Sequence, residues 1–195
     1  MKTKIIILHA IGYTVVAGLG FVAGVAVVDS QSRKAKNDEF QQKSQLWGKA
    51  APAIDATTLK GNPWKLSDHR GQVVVLDFWS SWCPGCPSSM QRLKPIFEEF
   101  GRRDDFALVG ISLDDEAAAA QKFCAQNGVT WEQLIEPKAG WNNSIAKAFG
   151  VSAIPSIRIV DRAGRIRVID GDVLDLRWVV KEMIQNPDGA ASYVR

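Results

Sequence analysis

QVVVLDFWSSWCPGC, residues 72–86, is the stretch on which the fold of this chain turns. Its first eight residues are rich in β-branched side chains and almost continuously apolar. That is the pattern of a central strand buried on both faces, commonly a parallel one. A helix is expected to open at Cys83–Pro84 and run to about Phe100. Leu93, Ile96, Phe97 and Phe100 share one of its faces, and Gly101 follows as a C-cap. Upstream, residues 53–58 and 63–66 flank Gly61–Asn62 and read as a short β-hairpin. Downstream, residues 106–113 and 131–135 read as strands, and residues 156–161 and 165–170 as strands paired around a turn. Helices are expected from the acids 114–116, which suit a helix N-terminus, to Asn127–Gly128, then over 142–149 and 173–185. The order hairpin, β, α, β, α, β, α, β, β, α implies an α/β domain, with a central mixed sheet flanked by helices on both faces.

The chain has 195 residues, of which 46% are hydrophobic and 23% charged, ordinary globular values. Its net charge of +3 lies entirely in residues 1–46; the rest carries equal numbers of acids and bases. No basic patch with interleaved aromatics appears, so no nucleic-acid partner is expected. Three cysteines are too few for a disulfide scaffold.

Residues 5–28 contain no Asp, Glu, Lys or Arg. A helix of that length covers ~36 Å, enough to cross a ~30 Å hydrocarbon core. It is also longer than the ~7–15 apolar residues usual in a cleavable signal peptide. The expectation is an uncleaved transmembrane anchor within residues 1–28, a polar linker over 29–46, a globular domain over 47–188 and a flexible tail over 189–195.

The chemistry centres on Trp82-Cys83-Pro84-Gly85-Cys86. Thiols at i and i+3 beside a helix start can close a small disulfide ring. A Cys83 placed at the helix N-terminus is expected to have a lowered pKa. Cys86, one turn in, is expected to be less exposed. That asymmetry suits thiol–disulfide exchange. Other readings stay open from the residues alone. A zinc site would have to draw on Cys124, His69 or His9; a c-type haem site would need a His where Pro87 stands; and two buried inert cysteines are the bland case.

Residues 73–86, VVVLDFWSSWCPGC, resemble the active-site strand and helix of the thioredoxin superfamily. The preceding APAIDATTLKGNPWKLSDHRGQ is similar to the N-terminal extension of its TlpA/ResA-like branch of membrane-tethered thiol–disulfide oxidoreductases, which carry a redoxin domain. IAKAFGVSAIPSIRIVDRAGRIR, residues 145–167, resembles the segment carrying that superfamily's cis-proline. The resemblance implies a thioredoxin-like fold with an N-terminal β-hairpin extension. It implies Cys83 as nucleophile, Cys86 as resolving thiol and Cys83–Cys86 as the redox disulfide. It also implies a cis Ile154–Pro155 facing the dithiol across a substrate groove, with Trp82 and Pro84 beside it. In thioredoxins the residue matching Asp77 helps to deprotonate the resolving thiol. The TlpA/ResA branch often has Asn there and a Glu three residues after the second cysteine, where this chain has Ser89. The competing role for Asp77 is structural, through hydrogen bonds to backbone.

The resulting expectation is an enzyme that exchanges disulfides with extracytoplasmic proteins, acting as a reductase, with no metal and no cofactor. A membrane or soluble redox partner would recharge it. The charges flanking the apolar span are nearly balanced, so the redox chemistry decides its orientation: single-pass in the cell (inner) membrane, with the domain on the periplasmic side. Two alternatives remain. A thiol peroxidase of the peroxiredoxin kind would want Pro and Thr where Leu76 and Ser80 stand, and a non-enzymatic thioredoxin-fold metal-binding module would want a partnering His. Cys124 and the tryptophans at 47, 64, 131, 141 and 178 are expected to serve packing.

Overall fold

The structure is a computed structural model that describes residues 45–169 and 176–186, all within one compact unit. The expected anchor, all but the last two residues of the expected linker, and the tail lie outside the described residues. Among the described residues no helix is long and apolar enough to cross a membrane.

β1 (Asp55–Thr58) and β2 (Pro63–Lys65) form the expected hairpin. β3 (Val73–Trp79) is buried at every residue. It is followed by α1 (Cys86–Phe100), β4 (Phe106–Ser112), α2 (Ala117–Asn127) and β5 (Glu132–Ile135). Then come α3 (Ser144–Ala148), β6 (Ser156–Val160), β7 (Ile166–Ile169) and α4 (Leu176–Gln185). The seven strands make one mixed sheet in the order β2-β1-β5-β4-β3-β6-β7. β3, β4 and β5 run parallel, while β6 is antiparallel to β3 and β1 antiparallel to β5. This is the thioredoxin-like α/β architecture expected, with the hairpin built into the sheet rather than appended to it.

The alternation along β3 divides the core. Val73, Val75 and Trp79 face a layer with Met90, Leu93 and Ile96 of α1, Phe123 of α2 and Val180 and Met183 of α4. Val74, Leu76 and Phe78 face the other way, against Ile145 and Phe149 around α3 and Trp64 of the hairpin. A strand apolar on both faces must be covered on both, so the helices divide between two layers.

Three helix starts differ from the sequence reading. α1 begins at Cys86, because Cys83 to Gly85 form a turn in which the Cys86 N–H donates to the Cys83 carbonyl (3.3 Å). Pro87, at the second helical position, has no N–H to leave unpaired. α2 begins at Ala117, and Asp114 serves a different purpose, described with the site. The helix expected over 142–149 is a 3-10 turn (Gly140–Asn142) followed by α3, which Asn143 caps by accepting from the Ala146 N–H at 2.9 Å. Residues after 46 strap the far sheet edge. Gly48 N–H donates to Ile166 O (2.7 Å), Ile166 N–H to Lys49 O (2.9 Å), and the Trp47 indole to Arg167 O (2.9 Å).

Gly110 in β4 leaves room for the buried Gln133 side chain. Gln133 accepts from the Trp79 indole N–H at 2.8 Å, while a Cβ on residue 110 would stand 1.9 Å from its Oε1. Gly110→Ala is therefore expected to displace Gln133 and strand the Trp79 N–H in the core. The expected loss is about 3 kcal/mol in urea unfolding of the full-length protein, combining overpacking with an unpaired buried donor. A loss below ~0.5 kcal/mol would show that Gln133 moves without cost.

Candidate active site

The parallel strands end on one edge of the sheet, and the loops that follow them converge there. The loop after β3 carries Trp82 to Gly85. Cys83 and Cys86 are joined by a disulfide with their Cα atoms 5.4 Å apart. Cys86 is fully buried and Cys83 keeps 4% exposure, a smaller difference than the sequence suggested but in the same sense. Cys83 stands just ahead of the helix rather than in its first turn. Pro84 and Gly85 are exposed.

Ile154–Pro155 is a cis peptide. The register pairs Ser156 with Phe78, which brings Pro155 level with the end of β3. The Pro155 ring lies against Gly85; a Cβ there would be 3.3 Å from Pro155 Cδ. Pro155 is exposed and Ile154 half-buried. The strap that holds this loop is Arg158, fully buried in β6. Its guanidinium donates to Phe149 O (3.2 Å), Gly150 O (3.3 Å), Ile157 O (3.0 Å) and Ser156 Oγ (2.7 Å). It thus ties the two ends of the segment that carries Pro155.

The approach to Cys83 is fixed by Asp114. Its buried carboxylate accepts from the Ser81 N–H (3.1 and 3.0 Å), the Ser81 hydroxyl (2.6 Å) and the Ser112 hydroxyl (2.8 Å). Asp114 therefore clamps the active-site loop to the end of β4 and does not serve a helix dipole. Sequence alone offers little sign of a contact across 33 positions. The buried Ser89 in the first turn of α1 occupies the place where the TlpA/ResA branch often carries Glu.

Asp77 lies in β3 between Val75 and Trp79, on the face that packs against the layer containing Cys83 and Cys86. It is fully buried, and neither carboxylate oxygen has a hydrogen-bond partner among the described residues. The backbone hydrogen bonds that a structural Asp would make are not found among the described residues. Burial pushes its pKa up to about 7, with the Arg92 guanidinium pulling weakly the other way.

The residues expected to pack divide into two groups. Cys124 is free and buried; burial first, then Asp114 and Asp77, push its thiol up to about 12, so it stays protonated at neutral pH. His69 is half-buried, stacked on Trp64 at 4.6 Å and 2.7 Å from Gln72 Oε1 through Nδ1. Trp64 and Trp131 are buried, but Trp141 and Trp178 are about half exposed, against the packing role expected of them. Trp141 lies beside Trp82, with ring centroids 6.1 Å apart. A Trp within a loop of Pro, Gly and Asn was the available signal.

The AhpC/TSA family model matches residues 47–169, well over half of the chain. The chain belongs to the AhpC/TSA family. This AhpC/TSA member is 25% identical over 172 residues to the thiol-disulfide oxidoreductase ResA of Geobacillus kaustophilus, covering 87% of this chain and 84% of that one. It is 30% identical over 133 residues to the thiol:disulfide interchange protein HelX of Rhodobacter capsulatus, covering 67% and 71%. Among solved structures it resembles a thiol-disulfide oxidoreductase from Bacteroides fragilis, with TM-score 0.65 and 27% identity over 69% of this chain and 99% of that one. A thiol:disulfide interchange protein from a Bacteroides species matches with TM-score 0.63 and 25% identity over 75% and 95%. With its paired cysteines, this AhpC/TSA member is an enzyme of the thiol–disulfide oxidoreductase class.

The raised pKa of Asp77 has a sign that can be tested. Between the unfolded value near 3.8 and about 7 the folded protein holds a proton that the unfolded chain has lost. Stability from this group is therefore present at low pH, falls as pH rises through that window, and stays level above it. In the oxidised full-length protein, the unfolding free energy of Asp77→Asn minus that of wild type is expected to grow by on the order of 4 kcal/mol from pH 3.5 to pH 8, in favour of the variant. A gap that does not change with pH would mean that Asp77 titrates as an ordinary carboxyl.

Proposed function

We propose that this protein is a membrane-anchored reductase of disulfides in extracytoplasmic proteins, working through Cys83 and Cys86 of a domain spanning residues 47–188 and tethered by residues 5–28. One observation carries the reading: a buried, unpartnered carboxyl, Asp77, stands on the face of β3 that packs against the layer of the redox pair. The relatives named above are oxidoreductases and interchange proteins, which favours exchange over peroxide turnover. So does Leu76. It lies mid-strand, in register with both Val109 and Arg158, where a proline would cost a ladder hydrogen bond.

The cycle balances as follows. The Cys83 thiolate attacks one sulfur of a partner disulfide; the bond from Cys83 to the partner forms and the partner's own S–S bond breaks. The released partner thiolate takes a proton from water. Cys86 then gives its proton to the Asp77 carboxylate, attacks Cys83 Sγ and closes the disulfide of the structure. The second partner sulfur leaves as thiolate and is protonated from water, and Asp77 returns its proton to solvent. Two electrons and two protons pass to the partner, and a dithiol redox partner reverses the steps to recharge the enzyme. The first step leaves Cys86 to deprotonate in a dry core, where a base with a pKa near 7 is of most use. Trp82, Pro84, Ile154 and Pro155 form the rim that a partner segment crosses. Neither metal nor organic cofactor enters the cycle.

In full-length protein in detergent, Cys86→Ser is expected to accumulate a mixed disulfide with a protein substrate, Cys83→Ser to abolish turnover, and Cys124→Ser to change it less than about twofold. Asp77→Asn is expected to slow closure of the ring by about 10²-fold or more at pH 7 while leaving the first attack nearly unchanged. A Cys83–Cys86 potential near −270 mV supports the reductase direction, and one near −120 mV supports the reverse. Peroxide turnover faster than disulfide exchange, or protection of the domain from protease applied outside the inner membrane, would overturn the corresponding part of the proposal.

A further inference from the structure

Trp82 is 53% exposed and Trp141 47% exposed, yet their rings meet at 6.1 Å with planes tilted by 54°. Each indole therefore leaves much of its surface uncovered beside the redox disulfide. The loop that carries Trp141 is built to hold it there. Lys138 takes a left-handed conformation (φ +62), and its N–H donates to Asp115 O at 2.9 Å. Gly140 (φ +46) lies so close to Asp115 that a Cβ would stand 3.3 Å from Oδ1. At the end of the loop, Glu136 Oε2 accepts from the Ser144 N–H at 2.6 Å and Asn143 caps α3. A non-glycine residue held at positive φ costs stability, and such positions gather where the structure serves a site.

We propose that Trp141, with Trp82, forms a specificity surface for a large apolar side chain near the cysteine of the partner polypeptide. The proposal rests on the exchange reading above and narrows its substrates to segments carrying an aromatic or branched aliphatic residue close to the reacting cysteine. The surface is continuous with the place where exchange occurs. Cys86 is sealed, whereas Cys83 keeps 4% exposure between the exposed Trp82 and Pro84, with the exposed Pro155 against Gly85. An extended chain advances ~3.3–3.6 Å per residue, so the 6.1 Å between the two rings is about two residues of partner. Trp82, Pro84, Trp141 and Pro155, all exposed, carry no charge, while the half-buried Ile154 packs on the core layers. Such aromatic anchors beside a reaction centre are the kind of group that dominates recognition energy. Asp115 and Glu116 are exposed in the adjoining loop and would favour a basic residue instead, which makes charge the sharpest rival.

The test uses full-length protein in detergent, reduced beforehand, and mixed with peptides that carry one intramolecular disulfide. The residue two positions from one cysteine is varied among Phe, Leu, Gly and Lys, and a small hydrophilic aliphatic disulfide, which has no apolar group to dock, serves as a chemical control. Wild type is expected to reduce the Phe and Leu peptides about tenfold faster, in single-turnover second-order rate constant, than the Gly and Lys peptides. Trp141→Ala is expected to erase most of that preference, and Trp141→Phe to keep most of it. The Cys83–Cys86 potential and the rate with the small disulfide are expected to stay within about twofold of wild type in both variants. An unchanged preference in Trp141→Ala, a preference for Lys, or an equal slowing of every substrate including the small disulfide would overturn the proposal. Wild type inert toward every disulfide offered would instead overturn the exchange reading beneath it.

Discussion

β3 has no residue that reaches water, and much of the molecule follows from covering it. Val73, Val75 and Trp79 need one layer and Val74, Leu76 and Phe78 another, so helices accumulate on both sides of the sheet. Parallel neighbours require the chain to cross back over a face each time, and those crossovers are α1 and α2. Every parallel strand then ends on the same edge. The loop after β3 delivers the cysteines there. The loop after β4 delivers Asp114, the loop after β5 delivers Trp141, and antiparallel β6 starts at the same edge with Pro155. The site is the by-product of burying one strand.

The central position of β3 makes its polar member costly. Asp77 sits where the sheet is driest, and its raised pKa measures what burial does to a lone carboxyl. On the opposite face, Arg158 is equally buried but surrounded by acceptors, chiefly backbone carbonyls at the end of α3. The two charged residue types thus stand in contrasting environments on the two faces. One has donors satisfied by carbonyls and holds a loop still, while the other has acceptors with nothing to accept from among the described residues. A group held that way is unstable as an anion and well placed to take a proton, which is what the proposed cycle asks of it.

How much of this could be read from the residues depended on distance along the chain. The strand, the paired cysteines, the hairpin and the proline turn are local patterns, and each appears within a residue or two of its expected place. The exceptions are instructive. Acids at 114–116 look like a helix start because local rules reward them there, yet Asp114 is satisfied by Ser81, a partner that no local rule reveals. The start of α1 slipped from Cys83 to Cys86 because Pro84 and Gly85 first make a turn. Trp141 looked like packing because most tryptophans are buried, and only the loops meeting at one edge show that it faces outward.

The contact between Gly85 and Pro155 bears on how such a centre can diversify. Of the two residues between the cysteines, Pro84 is exposed. Position 85 is different: any side chain presses on the proline ring at 3.3 Å, so substitution there moves the groove wall along with the dithiol. The two positions therefore offer unequal freedom to a protein engineer or to natural drift. One stands open to solvent; the other cannot be altered without also shifting the cis-proline beside the disulfide.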